Sequence, residues 1–176
     1  MSIAAPLNDV VLRPTELGDL DFVVALERHP ENAPFIGQWS RDEHAAALAR
    51  SDREHWIIAR AAAPAGERIG ERVGFLIAYD LRAAGFGVHV KRVVVADKSR
   101  GVGRRALRRF IEHAVVDLAP PYIWLSVFPD NVRAQRCYTA LGFREATLTT
   151  AERQVYQNAV EFSDESKVML LAVASS

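Results

Sequence analysis

Apolar residues along this chain recur with two spacings, and the alternation between them outlines its elements. Val10, Val11 and Leu12 form a short run that Pro14 and Thr15 break, which predicts a first strand. From Asp19 onward, Leu20, Val23, Val24 and Leu26 follow the three-and-four spacing of a helix that ends before Pro30. Residues His29 to Gln38 contain Pro30, Asn32, Pro34 and Gly37 and read as a loop. Ser40-Arg41-Asp42-Glu43 is a capping box, so the alanine-rich run through Arg50 is a second helix. Trp56 to Ala59, Val73 to Tyr79 and Val88 to Val95 are three strands rich in β-branched and aromatic residues, and the turns between them suggest an antiparallel meander. The first connection, Ala61 to Glu71, holds Pro64, Gly66 and Gly70, and the second is marked by Gly85 and Gly87.

After Gly101 the period changes. Val102, Ala106, Leu107, Phe110, Ile111, Ala114, Val115 and Leu118 lie on one helical stripe, which Pro120 and Pro121 end. Tyr122 to Val127 is a strand, and Asn131 to Leu141 a helix with Gly142 as its left-handed stop. Phe143 to Leu148 and Lys167 to Val173 are expected to close the sheet. The predicted fold class is therefore α/β (α+β): one domain with a mixed, mostly antiparallel, twisted sheet of six to seven strands and about four helices.

Composition narrows the classes. At 176 residues with 49% hydrophobic and 25% charged positions, the chain suits a single globular domain with its own core. Lys and Arg balance Asp and Glu at 22 each, so the basic excess of a nucleic-acid binder is absent. One cysteine, Cys137, rules out an internal disulfide and a cysteine-based zinc cage. There is no apolar run of membrane-spanning length, and Met1 to Asp9 lacks a basic start followed by an apolar stretch. The expectation is a cytoplasmic protein without membrane, metal or nucleic-acid partners.

The strand-to-helix turn Lys98-Ser99-Arg100-Gly101-Val102-Gly103-Arg104-Arg105 carries the first chemical signal. A helix start presents unpaired backbone N–H groups and the positive end of the helix dipole, both of which attract anions. Gly101 and Gly103 remove Cβ atoms where a phosphate would approach, and Arg100, Arg104 and Arg105 add positive charge. The Walker spacing is absent, and Ala106 stands at the third glycine position of G-x-G-x-x-G. By itself the turn fits a pyrophosphate cradle or a glycine turn leading into an arginine-rich helix.

The second signal is Asn131-x-Arg133-Ala134-x-x-x-Tyr138-x-x-Leu141-Gly142-Phe143. On residue chemistry alone, Asn131 is a helix N-cap, Tyr138 a packed aromatic and Cys137 a small buried side chain. Taken with Arg100-Gly101-Val102-Gly103, this stretch resembles the two acetyl-CoA motifs of the GNAT acetyltransferases, Q/R-x-x-G-x-G/A and N-x-x-A-x-x-x-Y-x-x-x-G-F, in the family's order and separation. Lys98 stands at the Q/R position, and Ser126 where relatives often have Asp. The resemblance implies an N-acetyltransferase with acetyl-CoA as co-substrate and direct transfer to an amine in a ternary complex. It implies that Val93, Val94 and Val95 line the pantetheine arm, that Arg100, Gly101, Val102, Gly103, Arg104 and Arg105 hold the pyrophosphate, that Asn131 bonds the cofactor arm, and that Tyr138 protonates the leaving thiolate. His89 takes the place of a glutamate common in the family and is the candidate base, with a water chain as the alternative. The acceptor site falls on the loop between the first two helices, with Glu31, Phe35 and Trp39 as candidates and Glu27 as a further carboxylate. Its amine is a protein N-terminus, a polyamine or a small molecule, and a homodimer through the C-terminal strands is possible by analogy. Two alternatives stay open: a catalytically silent acetyl-CoA-binding GNAT fold and an unrelated nucleotide-binding α/β protein.

Overall fold

A computed structural model of the chain describes residues 10–61, 69–81, 87–98, 100–159 and 166–173. Met1 to Asp9, Pro64 and Gly66 of the first meander connection, Gly85 of the second and Ser99 of the cradle lie outside these residues. The elements are β1 (Val10–Pro14), α1 (Leu20–Glu27), α2 (Arg41–Leu48), β2 (Arg53–Ala61), β3 (Ile69–Tyr79), β4 (Val88–Val95), α3 (Val102–His113), β5 (Tyr122–Val127), α4 (Val132–Ala140), β6 (Arg144–Glu145), α5 (Thr150–Ala159) and β7 (Lys167–Ala172). Seven strands form one sheet in the order β1-β2-β3-β4-β5-β7-β6. Its first four strands are the antiparallel meander the pattern predicts, extended by β1. β4 and β5 pair in parallel, because α3 carries the chain across one face between them.

Each face of the sheet is covered by the helices whose apolar stripes match it. Val102, Ala106, Leu107 and Phe110 of α3 are buried against Ile58, Leu76, Val90 and Ile123. Val23 and Leu26 of α1 pack on Ile57, Phe75, Ile77 and Val94 on the opposite face. Trp124 on β5 is fully buried with Tyr156 of α5 and Val168 of β7. Burying one such large side chain contributes about 1.5–3 kcal/mol.

Two irregularities in β4 interrupt the regular sheet. In the β3–β4 ladder, Arg92 faces Ile77 and Val90 faces Ala78, so Lys91 is an extra, bulged residue. A bulge bends its strand and increases its twist. On its other side β4 pairs with β5 at Val88↔Ile123 and His89↔Trp124 alone. From Val90 to Val95 the edge of β4 therefore has no strand neighbour among the described residues, and a cleft opens between the two strands.

The C-terminal third differs from the sequence expectation. A fifth helix, α5, follows Thr149, whose hydroxyl and backbone N–H form a capping box with Glu152. The strand expected over Phe143 to Leu148 shrinks to Arg144–Glu145, because Phe143 is fully buried in the α3-side core. Beyond Glu145, one bond from the Ala146 N–H to the Val168 carbonyl (2.9 Å) holds the backbone at the sheet edge. Among the described residues, no helix is long and apolar enough to cross a membrane.

Candidate active site

A cavity of about 790 Å³ fills the cleft between β4 and β5. Its walls are the edge of β4, the turn into α3, the start of α4 and the loop between α1 and α2. Val93, Val94, Val95, Arg100, Gly101, Val102, Gly103, Arg104, Arg105, Asn131, Tyr138, Glu31 and Phe35 all line it, so the structure brings together most of the sequence candidates. His89 and Trp39 are not among its lining residues.

The donor end is built by local rules. Gly101 has φ 71° and ψ 5°, left-handed geometry that favours glycine, and it starts α3 with no side-chain cap. The first N–H groups of α3 are thus left to whatever occupies the cavity. Gly103 is glycine for a different reason. A Cβ there would meet Val95 Cγ1 at 3.7 Å, an ordinary contact, so packing does not demand glycine. Glycine inside a helix costs roughly 1 kcal/mol against alanine, which fits a position that keeps the approach to the helix start open. Across the cleft, Asn131 caps α4, its Oδ1 accepting from the Ala134 N–H at 3.2 Å. The Gln135 amide donates to the carbonyls of Phe128 (3.0 Å) and Pro129 (2.7 Å), fixing the strand-to-helix turn.

Tyr138 stands on α4 with its ring 6.1 Å from that of Phe143. Burial, with a smaller contribution from Cys137, pushes its phenol above the ordinary value. The hydroxyl therefore keeps its proton throughout the neutral range. Lys98, in the Q/R position of the motif, turns away from the cradle: its Nζ donates to Asn32 Oδ1 and, at 2.8 Å, to the Val95 carbonyl. Burial, reinforced by Arg133, lowers its ammonium to about 8.

The acceptor end rests on a buried polar chain. Glu27 is fully buried and accepts from Arg92 Nη1 at 2.6 Å and from the Trp39 N–H at 2.9 Å. His44 Nε2 lies 3.3 Å from the second Glu27 oxygen, without the alignment of a hydrogen bond. His44 Nδ1 meets His55 Nε2 at 3.2 Å, and His55 Nδ1 meets Thr15 Oγ1 at 2.9 Å. Burial and the facing His44 lower His55 to about 3, so it is neutral at physiological pH. The Arg92 guanidinium stacks 4.2 Å above the Trp39 ring, and a Cβ on Gly37 would come within 2.9 Å of Arg92 Nη2.

Several sequence expectations change here. His89 is fully buried with its ring stacked on Trp124 at 3.8 Å, and burial, aided by Lys91, holds its imidazole well below the ordinary value. Its two ring nitrogens are buried without a hydrogen-bond partner among the described residues, and its place outside the cavity lining weighs against the expected role of base. Trp39 stacks on the Arg92 guanidinium and is not among the residues that line the cavity. Glu27 is committed to Arg92, which leaves Glu31 as the carboxylate of the acceptor loop on the cavity wall. His44 and His55 are buried. His113 is partly exposed and held between Asp117 (2.7 Å) and Glu54 (3.0 Å), which outweigh partial burial and raise its pKa. No group of three His, Cys, Asp or Glu among the described residues is arranged to hold a metal ion.

The family model described as the acetyltransferase (GNAT) domain matches residues 9–144. Among curated proteins, none matches the chain by sequence. The fold resembles the Vibrio cholerae spermidine N-acetyltransferase in complex with CoA and spermine at a TM-score of 0.73, with 17% identity over 94% of this chain and 96% of that one. The Vibrio cholerae spermidine/spermine N-acetyltransferase in complex with manganese ions gives 0.67 at 17% identity over 95% of both chains. A domain from Methanocaldococcus jannaschii gives 0.68 at 13% identity over 93% and 97%.

Proposed function

The chain belongs to the GNAT acetyltransferase family and is an acyltransferase, and from that premise we propose that it moves an acetyl group from acetyl-CoA to a primary amine by direct transfer in a ternary complex. The observation that carries this reading is the convergence, on one cleft, of an unpaired strand edge, an uncapped helix start at Gly101 and the Tyr138 phenol. Each matches a part of the donor: the edge of β4 at Val93 to Val95 suits the amides of the pantetheine arm, the helix start suits the diphosphate, and Asn131 offers its amide donor, since its carbonyl oxygen is already used.

In the step itself, the neutral amine nitrogen attacks the thioester carbonyl carbon and the C–S bond breaks. The departing thiolate receives a proton from the Tyr138 hydroxyl, and the excess proton on nitrogen leaves to water. Because its pKa is raised above that of a thiol, Tyr138 first steadies the developing thiolate as a hydrogen-bond donor, and its proton passes to sulfur only as water reprotonates the phenol. Alignment of the two reactants supplies much of the remaining rate. Burial of His89 supports the water route for the amine proton.

For the acceptor, Glu31 supports recognition of an ammonium group, while Phe35 and Ile36 supply apolar surface beside it. The similar Vibrio cholerae enzyme in complex with CoA and spermine suggests a polyamine. The commitment of Glu27 to Arg92 favours an amine with a single ammonium instead, because a polyamine needs several carboxylates along its length. The test is an acceptor screen with acetyl-CoA, read as release of free thiol. Turnover with monoamines or peptide N-termini is the expected result. Preferred turnover of spermidine would overturn the acceptor assignment, and binding of CoA without turnover of any amine would overturn the transfer reading.

A further inference from the structure

The cavity is strongly basic in a chain whose formal net charge is zero. Glu31 and Asp97 are the acidic residues among those lining it, and Asp97 is already engaged by Arg60 at 3.1 Å. Beside Arg104, at the edge of the cradle, Arg108 on α3 and Arg133 and Arg136 on α4 line the same space. Arg108, Arg133 and Arg136 are not glycine-motif residues, and the diphosphate alone does not account for them.

Their spacing is that of two facing pairs. Arg104 and Arg108 are four apart on α3, and Arg133 and Arg136 three apart on α4, so each pair shares a helix face. The helices adjoin across the mouth: Arg104 acts electrostatically on Cys137 of α4, and Arg133 on Lys98 before α3. All four side chains are exposed, and none forms an ion pair among the described residues. Like charges at helical neighbour spacing destabilise a helix by a few tenths of a kcal/mol per pair. Four unneutralised guanidinium groups gathered at one mouth therefore cost stability unless an anion joins them.

We infer that Arg104, Arg108, Arg133 and Arg136 form a second anion subsite that receives the 3′-phosphate of the coenzyme, making the enzyme selective for CoA over 3′-dephospho-CoA. The inference rests on the acetyl-CoA reading above. One helical turn from Arg104 to Arg108 advances about 6 Å along α3, comparable to the span of a ribose between the diphosphate and the 3′-phosphate. Guanidinium groups suit a terminal phosphate dianion because they offer paired N–H donors in one plane. The subsite would contribute to donor recognition and leave the reacting atoms untouched.

Calorimetric titration of CoA and 3′-dephospho-CoA into the wild-type protein and into the triple variant Arg108→Gln, Arg133→Gln, Arg136→Gln tests this. The wild type should bind CoA at least about tenfold tighter, as expected for one or more charge-assisted contacts. The variant, checked for folding by circular dichroism, should lose that gap while its affinity for 3′-dephospho-CoA stays within about twofold. Equal wild-type affinities for both ligands would overturn the subsite and leave the acetyl-CoA reading standing. A gap that survives in the variant would overturn the choice of residues. If neither ligand binds the wild type, the underlying reading falls and the subsite with it.

Discussion

The two ends of the cleft are made in opposite ways. The donor end is open backbone: glycines, an uncapped helix start and exposed arginines, drawn from residues 100–105 and 131–138. The acceptor end is a loop laid over a closed polar chain, in which Glu27, Arg92, His44, His55 and Thr15 touch one another with little access to water. Ligand groups can complete the first without disturbing the core. The second is part of the core, so changes meant to alter acceptor choice will also alter folding.

The sharpest way to break this contrast is at Glu27. Glu27→Ala removes the carboxylate bonded to the buried Arg92 guanidinium and should cost about 3–5 kcal/mol of stability, read from denaturant unfolding. A loss below about 1 kcal/mol would mean that Arg92 finds another anion or water. At the boundary between the ends, Tyr138→Phe should lower kcat about 100-fold, the low end of general-acid effects, with CoA affinity changed by less than about twofold. Equal turnover would remove the phenol from the reaction. On the donor side, Gly103→Val should weaken CoA binding some tens of fold with little change in Tm, since a Cβ there makes only ordinary contacts with the fold while a branched side chain stands in the path of the diphosphate. Unchanged affinity would argue against the cradle.

The smallest effect concerns acid. His89 is neutral in the native state and titrates near 6.5 when unfolded, so the unfolded chain binds the extra proton first as pH falls. Its contribution is present above about pH 6.5 and is lost on acidification, by about 1 kcal/mol over the first unit below that value and about 1.4 kcal/mol per unit thereafter. His89→Phe keeps the stack on Trp124 and should flatten this slope, while the acidic limb of the pH–rate profile stays as in the wild type. A shifted limb would return His89 to the mechanism.

The same contrast explains what is legible in the sequence. Donor-end residues lie within two short segments, where spacing, glycines and a helix cap carry the signal locally. The meander and the stripe of α3 are legible for the same reason, since period two and period 3.6 are local properties. The acceptor end is not. Glu27 meets Arg92 across 65 residues of chain, and nothing near Glu27 in sequence says that it faces inward. His44 sits in an alanine-rich helix and reads as solvated until Thr15, His55 and Glu27 close around it. α5 escapes the pattern although Thr149-Thr150-Ala151-Glu152 has capping-box spacing, because the apolar period after it is weak. The shared burial of Trp124 and Tyr156 reveals its role only in three dimensions.

The single surplus residue in β4 has one more consequence. Val88 and Val90 look toward α3, as do Val93 and Val95, while His89, Arg92 and Val94 look the other way. Parity of side chains thus reverses midway along the strand. Pairing Lys91 into a regular pleat instead of bulging it out would rotate one half against the other, either exchanging Arg92 for a valine beneath the acceptor loop or sending His89 away from Trp124. The bulge therefore absorbs the surplus residue without changing either face, and a segment exchanged into this strand must likewise keep His89 and Arg92 on the side away from α3.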